Sequence, residues 1–113
     1  MKVLAFNGSP RPKGNTRLML DAVCAVLNRE GIETEIVQIG GKLYRGCSAC
    51  YSCKDRQDQR CIIDKDHVNE WIAKMIAADG ILLGSPTFFS DVTSEMKALI
   101  DRAGFVTRSN GSV

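Results

Sequence analysis

The chain has 113 residues, 44% of them hydrophobic and 25% charged, with a formal net charge of +2. That length builds one core at most, and the composition excludes a disordered polymer. The small, scattered charge argues against nucleic acid, and the opening MKVLAFNGS holds an apolar run too short for a signal peptide or a membrane span. The expectation is a cytoplasmic protein with neither nucleic acid nor a membrane as partner.

Val3 to Phe6 is apolar on both faces, as in a strand buried within a parallel sheet, and it opens into NGSPRPKGN, a cluster of turn formers. From Thr16 the period changes. Leu18, Met19, Ala22, Val23, Val26 and Leu27 recur at helical spacing, with Gly31 placed to cap the helix. Cys24 falls in this stretch and reads as core packing, since buried free cysteine behaves as a small hydrophobe. Glu33 to Ile39 alternates as a strand, which completes a βαβ unit with a right-handed crossover.

Residues 40–63 show no period and carry four of the five cysteines. A connection this long in a compact domain is usually functional. Val68, Trp71, Ile72, Met75 and Ile76 then mark a second helix, with Asp64 or Asp66 placed to cap it. His67, at its start, reads as solvated surface. GILLGSPT repeats the form of the first strand and its turn. Met96, Leu99, Ile100 and Ala103 define a third long helix that is expected to stop near Gly104, and the tail FVTRSNGSV reads as turn-forming. The predicted fold is α/β: a doubly wound parallel sheet, incomplete at three strands in the order 2-1-3 with about three helices, in one domain over 1–113.

In such a sheet, ligands bind beyond the carboxyl ends of the strands. GSPRPKGNT (Gly8 to Thr16) sits there, where a following helix offers unpaired N–H groups and the positive end of its dipole to a phosphate. Ser9, Asn15 and Thr16 add short donors, and Arg11 adds charge. The spacing fits neither a Walker A loop nor the dinucleotide motif G-x-G-x-x-G, so a terminal monophosphate suits it better than a pyrophosphate. A plain capping turn explains part of the same pattern. Pro86, Thr87, Phe88 and Phe89 follow the third strand, where they offer aromatic surface and backbone groups to a flat heterocycle; packing under a helix is the competing use. The two loops together describe a site for flavin mononucleotide.

FNGSPRPKGNT and GSPTFFSDVTSEMKALIDR resemble the two signature loops of the NADPH-dependent FMN reductase family, with its flavodoxin-like fold. The segment between them, C-x2-C-x2-C-x7-C, resembles the compact motif of the iron–sulfur flavoproteins within that family. The resemblance implies that Ser9, Arg11, Asn15 and Thr16 hold the FMN phosphate. It implies that Pro86, Thr87, Phe88, Phe89 and Ser90 border the ribityl chain and ring, and that the protein is a dimer or tetramer. The family's sheet has five strands, so the chain resembles its N-terminal part and stops before a fourth strand; Ile81 to Leu83 is left as a sheet edge.

Several chemistries compete for Cys47, Cys50, Cys53 and Cys61. A [4Fe–4S] cluster takes four thiolates, and the first three cysteines match the bacterial ferredoxin run, although Ile62 stands where that run has proline. Zinc prefers two separated C-x2-C pairs, and a redox disulfide leaves cysteines over. Reduced thiols holding no metal are the remaining reading. The expected function is an FMN-dependent oxidoreductase that passes electrons from NAD(P)H or ferredoxin to a quinone, a flavin or another small-molecule or protein acceptor. The alternatives are a non-catalytic electron carrier and a remnant without flavin. No general acid or base is expected, because a flavin carries its own chemistry.

Overall fold

The computed structural model of the chain describes residues 1–111. Three parallel strands, β1 (Lys2–Asn7), β2 (Glu33–Gln38) and β3 (Gly80–Gly84), form a sheet in the order β2-β1-β3. The helices are α1 (Asn15–Arg29), α2 (Ser52–Arg56), α3 (Val68–Ala77) and α4 (Ser94–Ser109). β1 takes the centre because it is apolar on both faces: Leu4 and Phe6 join one core, Ala5 the other. This is the flavodoxin-like α/β arrangement expected from the sequence.

Gly31 ends α1 as expected. At φ +81 it lets the Gly31 N–H reach the Asn28 carbonyl at 3.1 Å and the Ile32 N–H reach the Leu27 carbonyl at 3.0 Å, a Schellman closure. The buried face of α1 differs from the expected stripe. Leu20 and Cys24 are buried, while Leu18, Met19, Val23 and Val26 are exposed. Gly84 decides this rotation. A Cβ there would stand 3.0 Å from Leu20 Cδ1, so the bare glycine admits Leu20, and Cys24, one turn on, follows it onto the sheet.

The opposite face carries the larger core, where Leu4, Phe6 and Ile39 meet Val68, Trp71 and Ile72 of α3 and Met96, Leu99, Ala103 and Val106 of α4. Asp66 serves the start of α3, accepting from the Val68 N–H at 3.1 Å. α4 does not stop near Gly104. It runs through to Ser109 because Val106 and Thr107 are buried on its inner face, and that burial outweighs the roughly 1 kcal/mol that a mid-helix glycine costs. Phe105 to Ser109 of the tail are thus helical; Ser112 and Val113 lie outside the described residues.

Residues 40–63 contain the short α2 and are pinned at both ends. The Tyr44 ring meets Trp71 edge-on at 5.2 Å and its hydroxyl donates to the Glu95 carbonyl. Asn69 receives the Cys61 N–H at 2.7 Å and donates to the Cys61 carbonyl at 2.9 Å. Among the described residues, no helix is long and apolar enough to cross a membrane.

Candidate functional site

The loop between β1 and α1 is held from beneath by polar side chains at the strand ends. Asn7 and Gln38 stand opposite each other in the β1–β2 ladder, and Asn7 Nδ2 donates to Gln38 Oε1 at 2.8 Å. Asn7 Oδ1 accepts the Ser9 N–H at 3.1 Å, and Gln38 Nε2 donates to the carbonyls of Ser9 at 2.7 Å and Gly40 at 2.9 Å. Ser9 Oγ accepts the Arg11 N–H at 3.1 Å. The loop backbone is thereby fixed before any ligand arrives.

The same loop is tied to β3 and α4. The Gly8 N–H donates to the Gly84 carbonyl at 2.7 Å, and Thr93 Oγ1 donates to the Gly8 carbonyl at 2.8 Å. Thr93 also caps α4, accepting the Met96 N–H at 3.2 Å. Gly40 packs so closely beneath the loop that a Cβ there would lie 2.1 Å from the Ser9 carbonyl oxygen.

α1 begins at Gly14 with no side-chain cap and no acidic residue in its first turn. Its first N–H groups are therefore open to an external acceptor, where the helix dipole favours an anion. Above them lies a pocket of about 370 Å³ lined by Ser9, Pro10, Arg11, Gly14, Asn15, Thr16, Pro86 and Phe88. All four expected phosphate residues border it, and two of the expected ring residues, Pro86 and Phe88, face them across it. Thr87, Phe89 and Ser90 do not line this pocket. Phe89 is 97% exposed, on a turn where Ser90 takes φ +61 and the Phe88 N–H donates to the Asp91 carbonyl at 3.0 Å. The donor set fits a phosphate ester carrying a flat group, as in FMN.

The four cysteines of the other loop line one narrow pocket with Ser48, Tyr51, Ile62, Arg102, Phe105 and Val106. All are free thiols; Cys53 is buried and Cys50 is exposed. The Ser52 hydroxyl and then its backbone N–H hold the Cys50 thiol below its ordinary pKa. Among the described residues, no three His, Cys, Asp or Glu side chains gather closely enough to hold a single metal ion. One ion would require thiolates within about 4 Å of one another, given metal–sulfur bonds near 2.3 Å. A four-iron cube takes one thiolate at each iron and so spreads its four ligands more widely. Four free thiols around one pocket fit that donor set. His67 takes no part: it is exposed, stacked on Trp71 at 6.0 Å.

Arg102 closes the floor of this pocket. Its side chain has 0% exposure, and Asp66 grips both Nη atoms, at 2.6 and 3.2 Å. Burial opposes its charge, but the Asp66 carboxylate and then the Cys61 sulfur outweigh burial and raise its pKa. Sequence reasoning missed Asn7, Gln38, Gly40, Thr93 and Arg102. A polar pair at the carboxyl ends of adjacent strands could have flagged Asn7 and Gln38, and a threonine heading a helix could have flagged Thr93. Nothing local marks Arg102, whose partner is 36 residues away.

Comparison with known proteins places the chain in a family. The family described as NADPH-dependent FMN reductase matches residues 1–112. An iron–sulfur flavoprotein of Methanocaldococcus jannaschii is 43% identical over 103 residues, covering 91% of this chain and 52% of that protein. Iron–sulfur flavoproteins of Methanosarcina thermophila (36% identical; 97% of this chain, 56% of that protein) and Clostridioides difficile (32%; 91% and 46%) are also similar. The chain thus spans about half the length of the curated relatives it matches. With the β2-β1-β3 sheet and both signature loops in place, the chain belongs to the NADPH-dependent FMN reductase family.

Proposed function

We propose that the chain binds FMN and serves a cytoplasmic FMN-dependent oxidoreductase that takes electrons from NAD(P)H or ferredoxin. The observation that carries this reading is the pocket joining the open N-terminus of α1 to Pro86 and Phe88. The first N–H groups of α1, with Ser9, Asn15 and Thr16, receive the phosphate, and Arg11 neutralises it. Pro86 and Phe88 bound the ligand on the side of β3 and exclude water from its flat face. Bound FMN would supply two-electron acceptance with release in single steps. No residue of the chain needs to act as a general acid or base.

Cys47, Cys50, Cys53 and Cys61 would hold a [4Fe–4S] cluster, which supplies one-electron transfer to a quinone, a flavin or a protein acceptor. The similar proteins being iron–sulfur flavoproteins, and the shared thiol pocket, support this reading. A second reading, a non-catalytic carrier between proteins, draws on the exposure of Cys50, which gives an electron an opening to a docked partner. A dimer or tetramer, as the family resemblance implies, would complete the assembly.

Anaerobic stopped flow on the full-length, FMN-loaded protein tests the reading. Bleaching of the flavin absorbance by NADPH or NADH is the expected result. Reduction by ferredoxin alone would move the protein to the carrier reading, and failure to take up FMN would remove both.

A further inference from the structure

Arg102 is 1% exposed and offers five N–H donors, four of which have partners. Nη1 donates to Asp66 Oδ2 at 2.6 Å and to the Arg45 carbonyl at 3.2 Å; Nη2 donates to the Ile63 carbonyl at 2.6 Å and to Asp66 Oδ1 at 3.2 Å. The fifth donor, Nε, is buried and has no hydrogen-bond partner among the described residues. A buried guanidinium N–H left unpaired costs more than about 1–3 kcal/mol, so such a donor normally has an acceptor in the working protein. Arg102 lines the pocket that the four cysteines share. Of the thiols lining that pocket, Cys61 is the one that interacts with the guanidinium and helps to hold its charge.

We propose that the Arg102 Nε–H donates to a sulfur of the metal–thiolate group at Cys47, Cys50, Cys53 and Cys61, with the Cys61 sulfur as first acceptor, and so raises the reduction potential of a bound cluster. The inference rests on the reading that these thiols hold metal. Reduction would add one negative charge spread over the iron and sulfur of the cluster, and a fixed, buried cationic donor favours that form. Asp66 holds the guanidinium in place and pulls the potential the other way, because its carboxylate is a nearby negative charge. Arg102 is therefore a positioning and tuning residue, with no part in bond making.

Redox titration of the full-length protein, followed by electron paramagnetic resonance, tests this with two variants. Arg102→Lys keeps the charge and loses Nε; its potential should fall by at least about tenfold in the oxidised-to-reduced ratio, ~59 mV for a one-electron couple. Asp66→Asn keeps Nε and removes the carboxylate; its potential should rise. Loosened packing would move both variants in the same direction, and that result, or an unchanged potential in Arg102→Lys, overturns the proposal.

A measurement on the wild-type protein covers a variant that fails to fold. In the reduced, cluster-loaded protein labelled with ¹⁵N at arginine Nε, electron–nuclear double resonance should show a hyperfine coupling between the cluster spin and one Nε, and its absence overturns the proposal. Iron and sulfide analysis separates the two readings: protein without iron or sulfide removes the cluster reading and the proposal with it, whereas iron and sulfide with no coupling overturns the Arg102 assignment alone.

Discussion

Between Asn7 and Thr16 the backbone is fastened by side chains from β1, β2 and the head of α4, and the residues beneath it are buried: Asn7 at 0% exposure, Thr93 at 0%, Ser9 at 5%. Between Cys47 and Cys61 the fastening comes instead from the far end of α4, where Ser109 accepts from Gln57 at 2.9 Å and Asn110 accepts the Gln59 N–H at 2.6 Å and donates to the Cys53 carbonyl at 2.8 Å. There Ala49, Tyr51, Gln57 and Gln59 all take positive φ, from 53 to 60°. A non-glycine residue in that region costs on the order of 1 kcal/mol, and such strain persists only where something else fixes it. The phosphate loop is thus shaped by the fold alone. The cysteine loop carries backbone strain that its contacts with α4 hold in place. One loop is unstrained and seated on the sheet, and the other is strained and seated on a single helix.

The contrast breaks most severely at Gly40. Gly40→Ala would place a methyl 2.1 Å from the Ser9 carbonyl oxygen, which is backbone and cannot swing aside. We expect a loss of about 3 kcal/mol or more in urea denaturation, together with loss of FMN uptake. A loss below about 1 kcal/mol would show that the phosphate loop is not held from below as described.

Arg11→Ala leaves that scaffold intact, because the Arg11 side chain is exposed. It should leave the melting temperature unchanged and weaken FMN binding about tenfold, the worth of one charge-assisted contact to phosphate. Flavin fluorescence quenching reads the affinity, and the weakening should shrink as salt is added.

Ala49→Gly should act in the opposite direction to the change at Gly40. It relieves a positive φ of 55° and removes only a methyl group. Stability should rise by about 0.5 kcal/mol after the extra freedom of glycine in the unfolded chain is subtracted. Destabilisation would mean that the loop is not strained at this point.

The smallest effect lies where the two regions meet. Glu95 accepts the Gly41 N–H at 2.9 Å. Burial works against its charge, but the Gly41 backbone and then the Ser94 hydroxyl lower its pKa below the ordinary carboxylate value of 4.5. A lowered folded pKa means stability that is present above pH 4.5 and is lost as pH falls through the folded value. Melting temperature should drop along that interval, and the drop should flatten in Glu95→Gln.

Much of this was legible in the sequence because it is local. An apolar run with turn formers after it gives β1 and its loop, and Gly31 gives the end of α1. What escaped is tertiary. Gly104 reads as a stop, yet Val106 and Thr107 have burial to gain and carry α4 past it. The stripe on α1 has helical period, but Gly84 selects Leu20 and Cys24 to face the sheet. Of the ring-side residues, Pro86 and Phe88 meet the phosphate loop, while the turn at Ser90 carries Phe89 away from the pocket. Arg102 sits in a helix whose pattern reads as amphipathic, and only the fold brings Asp66 and the cysteines to it.

The capping threonine of α4 fixes more than a helix end. Thr93 grips the loop after β1, and Arg102, nine residues along the same helix, lines the pocket of the four cysteines. At 1.5 Å per residue the two contacts are about 13 Å apart along the axis, so α4 works as a ruler between the loop after β1 and the cysteine pocket. It also sets the angle between them. A single residue inserted between Thr93 and Arg102 would lengthen the ruler only slightly, but it would turn the guanidinium by roughly 100° and swing it off the cysteine pocket.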